Sequence, residues 1–96
     1  MSTKVKISNK LNGLEKITPQ FCLKQLGKYY KDQKLFCSHT QCPNKTPNLI
    51  GVCVEIIDDN SSEKGNLYII PLCDNFQGKV FNIKEIFTMP INRLFD

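Results

Sequence analysis

The segment KVKISNKL, residues 4–11, alternates apolar Val5 and Ile7 with lysines and polar residues. A period of two predicts a short strand near a sheet edge, where lysines discourage stray pairing. Asn12-Gly13 predicts a turn after it. Thr18-Pro19 then opens a helix. Threonine is a good N-cap, and proline fits the first helical position, where its missing N–H costs nothing. The helix is expected to run to about Lys31. Cys22, Leu26, Tyr29 and Tyr30 share its apolar face, widened by Phe21 and Leu23. Lys24, Lys28 and Lys31 recur at i, i+4, i+7 and form a basic ridge on another face. Gly27 weakens the helix interior by ~1 kcal/mol relative to Ala, and is read as marking a close packing contact.

Residues 37–48, CSHTQCPNKTPN, are rich in turn formers and read as a compact loop. Leu49–Ile57 follows as a strand, with Val52, Val54 and Ile56 on one side and Cys53, Glu55 and Ile57 on the other. DDNSSEKGN is an exposed turn, and Asn66–Leu72 is a second strand that pairs with the first as an antiparallel hairpin. Pro71 limits pairing near that strand's end. KVFNIKEIF, residues 79–87, satisfies a helix about as well as a strand. The tail TMPINRLF is expected to be extended, because Pro90 excludes a continuing helix. The pattern predicts a single α+β domain over 1–96.

Composition narrows the classes. Hydrophobic residues make up 41% and charged ones 23% of the 96 residues, which suits a folded chain rather than a disordered one. No apolar stretch is long enough to span a bilayer. MSTKVKISNK has basic residues but no apolar block after it, so no secretory signal is expected and a cytoplasmic location is. In that compartment five cysteines are thiols or metal ligands rather than disulfides. The net charge is +4, unevenly placed. Residues 1–48 hold nine lysines against Glu15 and Asp32 and carry +7, whereas residues 49–96 carry −3. A basic half suits an acidic partner, either nucleic acid or an acidic protein face. Lys24, Lys28, Lys31 and Lys34 are the candidate contacts, with Tyr29 and Tyr30 near them.

The cysteines suggest a second kind of site. Structural zinc takes four soft ligands in a tetrahedron. Cys37-Ser-His-Thr-Gln-Cys42 offers two from one loop, and Cys73 stands at a strand end where a further ligand often sits. Cys53 or His39 could complete the set. The expected cofactor is therefore one zinc ion held by Cys37, Cys42, Cys73 and Cys53, with His39 as the alternative fourth ligand. Cys22 belongs to the core. Position 76 is Phe, so the double C-x-x-C pattern is absent. There is no phosphate-cradling glycine loop and no Ser/His/Asp frame.

Cys37 and Cys42, then Gly51-Val52-Cys53-Val54, then Tyr68-Ile69-Ile70-Pro71-Leu72-Cys73, form a series that resembles small treble-clef zinc domains related to HNH endonucleases. Those domains carry a C-x-x-C knuckle, a G-A-H-V strand, a polar turn and Y-I-V-P-L-C-x-x-C-N. The resemblance covers about residues 35–85 and implies a treble-clef-like frame with an antiparallel hairpin. The family's strand histidine is its general base, and here Cys53 stands in that place. Phe76 and Gln77 replace the later cysteine and asparagine. The resemblance thus implies a scaffold without its hydrolytic centre: a non-catalytic module for an acidic partner. A small inhibitor, immunity or phage counter-defence protein acting on another protein is the alternative. A metal-dependent HNH-type nuclease would need His39 to serve as base.

Overall fold

A computed structural model describes residues 2–9, 17–31, 33–40, 48–74, 78–84 and 87–95. The protein is α+β, with one helix and a five-stranded antiparallel sheet that dominates it. The elements run β1 (Ser2–Ile7), α1 (Pro19–Tyr29), β2 (Leu49–Ile56), β3 (Leu67–Cys73), β4 (Val80–Lys84) and β5 (Met89–Pro90), then a 3-10 helix, Ile91–Phe95. The strand order is β4-β1-β2-β3-β5. Residues 79–87 resolve in favour of strand as far as Lys84. The tail is extended only at β5, after which Ile91–Phe95 winds into a 3-10 helix instead of staying extended.

The expected hairpin forms from β2 and β3, registered from Leu49↔Cys73 to Glu55↔Leu67. Gly65, at φ 91°, occupies the left-handed backbone position in the turn between them. β1 lies near the edge of the strand order, one place in from β4, and pairs with β2 on one side and β4 on the other. Its lysines avoid burial by alternation, since Thr3 and Val5 are buried while Lys4 and Lys6 face out. Pro71 costs no rung of the hairpin. Its carbonyl accepts from Ser38 N at 2.9 Å, away from β2, so its donor-less nitrogen faces that way as well.

Ser38 closes the sheet. Its N–H donates to Pro71 of β3, and its carbonyl accepts from Lys84 N of β4 at 2.8 Å. Thr40 N donates to Asn82 O at 3.2 Å, and His39 bridges to Ile83. Strands at opposite ends of the order β4-β1-β2-β3 therefore meet through one short segment, and the sheet curls on itself. Inside the curl lie Val5, Cys37, Val54, Ile56, Ile70, Leu72, Cys73, Phe81 and Ile83. A second core forms on the outside, where α1 and the 3-10 helix cover β2, β3 and β5 with Cys22, Leu26, Cys53, Ile69, Met89 and Leu94.

α1 starts as its sequence dictates: Thr18 Oγ1 accepts from Phe21 N at 3.0 Å, a cap worth ~1 kcal/mol. It buries Cys22 and Leu26; full burial of a leucine contributes roughly 2 kcal/mol. It ends at Tyr29, two residues before the expected boundary. Tyr30 caps it, donating to Leu26 O at 3.0 Å, and Lys31 takes a left-handed φ of 39°. The close packing contact is at Gly51, not Gly27. Nothing lies within 4 Å of a Cβ built on Gly27. A Cβ on Gly51 would stand 2.5 Å from Cys22 Cβ and from the Leu23 amide nitrogen. Gly51 thus lets α1 rest directly on β2.

Candidate functional site

The basic ridge is divided by the end of α1. Lys24 and Lys28 lie one turn apart on the helix and are exposed. Lys31 and Lys34 are exposed too, but Lys31 lies beyond the cap, where the left-handed turn takes the chain off the helical path. Helix α1 carries no carboxylate of its own.

The two tyrosines at its end have different tasks. Tyr30 is anchored: its hydroxyl donates to Thr88 O and accepts from Thr88 N, both at 2.8 Å. Burial raises the Tyr30 phenol above its ordinary value, opposed by the Thr88 hydrogen bonds. Its ring meets Phe87 edge-on at 5.1 Å between centroids, and Phe87 meets Phe36 at 4.9 Å. Tyr29 contacts Tyr30 edge-on at 5.0 Å but remains 42% exposed. Beside it, Gln25, Lys28, Tyr29, Met89 and Arg93 line a hollow of about 190 Å³ between α1 and the 3-10 helix. Met89 is fully buried and forms its floor. Arg93, Gln25 and Met89 were missed by sequence reasoning. Arg93 is the chain's single arginine, the only local signal it gave.

The described cysteines fall into two pairs in separate core clusters. Cys37 and Cys73 lie together inside the curl, where Cys73 N donates to Cys37 Sγ at 3.3 Å. Cys53 lies in the outer core with Cys22. Burial pushes the Cys22 thiol up, and nearby Cys53 adds to the shift. Burial likewise raises Cys53, partly offset by a hydrogen bond with Ser8. Cys53 and the Cys37–Cys73 pair therefore belong to different core clusters. His39 is half-buried with its ring 5.5 Å from Phe81, and burial lowers its pKa. Cys42, Phe76 and Gln77 lie outside the described residues. Among the described residues no group of three or more His, Cys, Asp or Glu side chains could hold a metal. Cys37 and Cys73 supply two thiols to one place, short of the four that structural zinc takes.

No family model, curated protein or solved structure matches the chain. Among the described residues no helix is long and apolar enough to cross a membrane.

Proposed function

We propose that the protein is a non-catalytic binding module that holds an acidic partner, nucleic acid or protein, on the outer face of α1. The observation that supports this reading is the arrangement of Lys28 and Arg93 around one hollow, with Lys24 a turn away and no carboxylate on the helix. Lys31 and Lys34 extend the same positive field beyond the helix. Cations so placed attract a polyanion by releasing its counterions, an attraction that weakens steeply with salt. The test is fluorescence anisotropy with labelled nucleic acid and with fluorescent polyglutamate at several salt concentrations. Changing Lys24, Lys28 and Lys31 together to Glu is expected to weaken binding at least ~10-fold and to flatten its salt dependence. Circular dichroism should remain unchanged, because all three side chains are exposed. Equal binding by the folded variant would remove the reading.

The treble-clef-like frame over about 35–85 belongs to the same proposal, and its support is the approach of Cys73 to Cys37. Its measure is the zinc content of the purified protein. One equivalent, lost on Cys37→Ser but kept on Cys53→Ser, would support the frame; a metal-free protein that is fully folded would count against it.

One observation favours the second reading, an inhibitor or immunity-type protein that binds another protein. Ile7 and Val80 are 36% and 50% exposed, and they adjoin a hollow of about 550 Å³ rimmed by Lys6, Lys79 and Glu55. Capture of a protein partner that withstands nuclease treatment, lost on Val80→Glu, would favour this reading over the first.

A further inference from the structure

We propose that the hollow between α1 and the 3-10 helix receives one nucleotide of a single-stranded nucleic acid, its base against Tyr29 and its phosphate between Lys28 and Arg93. This rests on the binding reading above and names the partner's class.

Three features of the hollow converge on that ligand. The first is its charge: Lys28 and Arg93 line it, and none of its described lining groups is a carboxylate. Arginine and lysine together at one small concavity suit a phosphate, which accepts the arginine fork and the lysine point charge at once. The second is its aromatic ring. Tyr29 is substantially exposed at the rim, yet its orientation is supported by the edge contact with Tyr30. Tyr30 is in turn fixed by its two hydrogen bonds to Thr88 and its contact with Phe87. A ring with such backing is a ready platform, and a base that stacks on it need not order it first. The third is size. About 190 Å³ is smaller than the ~300–1,000 Å³ of sites that enclose a whole small ligand. A strand lying along the lysines needs only part of one unit, a base face or its phosphate, to enter a recess of that size.

The same features weigh against the other polyanions. Duplex bases are already stacked on one another and offer no face to Tyr29. Carboxylates of an acidic protein could pair with Lys28 and Arg93 but would leave the aromatic platform unused. The Gln25 amide, also at the hollow, supplies both a donor and an acceptor for a base edge.

The test measures anisotropy of a labelled oligothymidylate, the same-length duplex and polyglutamate, on the full chain and its variants. Single strand is expected to bind at least ~10-fold tighter than duplex. Tyr29→Ala should weaken single-strand binding roughly 5- to 140-fold, the equivalent of one lost stacked base, and leave duplex binding unchanged. Tyr29→Phe should keep the affinity. Should Tyr29→Ala disturb the fold, Tyr29→Leu preserves bulk beside Tyr30 without the π face and should show the same selective loss. Lys28→Gln and Arg93→Gln should each lower the salt slope by about one. Equal affinity for single strand and duplex, with Tyr29→Ala indifferent, would overturn this inference while the broader reading stands. Polyglutamate binding as tight as the single strand would also overturn it. Failure of all three polyanions to bind would remove both.

Discussion

A single carbon added at Gly51 would meet the backbone of α1 at 2.5 Å, where no flexible side chain can yield. Gly51→Ala must therefore lift the helix from β2 or bend the strand, and overpacking of this kind costs up to roughly 3 kcal/mol. Gly27 has the opposite balance. Its Cβ would enter open space, so Gly27→Ala removes a helix-interior glycine and should stabilise by about 1 kcal/mol. Urea unfolding of the two variants should shift the midpoint in opposite directions, and a stabilising Gly51→Ala would contradict the packing. The sequence presents both as glycines among apolar residues. Only the docking of α1 distinguishes them, because the contact joins positions nearly thirty residues apart. The alternation of Val52, Cys53 and Val54 did predict which way each side chain points. It could not reveal that Cys73 and Cys37 would share a cluster without Cys53, since that depends on the curl.

At the scale of elements, the strongest local signals were kept: the Thr18-Pro19 start of α1, the β2–β3 hairpin and the strand at β1. What local pattern could not show was the neighbour each element would find. The lysines of β1 suggested a place near an edge, and it lies next to β4, the end of the strand order; outward-facing lysines are as acceptable between two strands as beside one. The segment 37–40 read as loop and is loop by its own hydrogen bonding, but it joins two strands. His39 stands in that seam, and its titration reports on it. Burial holds the folded imidazole below its ordinary value of 6.5, so the unfolded chain binds the proton more readily. The contribution of His39 to stability is thus complete above pH 6.5 and lost as pH falls through the folded value. Between about pH 7 and about pH 5, the urea midpoint of the native protein should fall further than that of His39→Gln. Identical declines would show that the seam does not shield the ring.

For the molecule as a whole, the charge imbalance between the two halves of the chain was visible from the start, and it motivates the proposal of an acidic partner. The proposed place of contact was less visible. Arg93 comes from the acidic half, and it lies beside Lys28 only because the 3-10 helix packs near α1. The shift from an extended tail to that helix turns a row of lysines into a concave, aromatic-rimmed recess. Charge alone would have suggested a flat surface of even, unselective attraction.

Ser38 has one more implication, for how a partner can dock. The outer edge of β4 is engaged at Asn82 and Lys84, the far side of β3 is shared between β5 and Ser38, β1 is paired on both sides, and β2 pairs with β3 along its length but with β1 only over 54–56. Among the described residues, a visiting peptide that sought to add a strand would find β1 taken on both sides and the outer edge of β4 already engaged. Backbone-to-backbone augmentation at β4 is thereby disfavoured, and selectivity there falls to whatever protruding side chains can read.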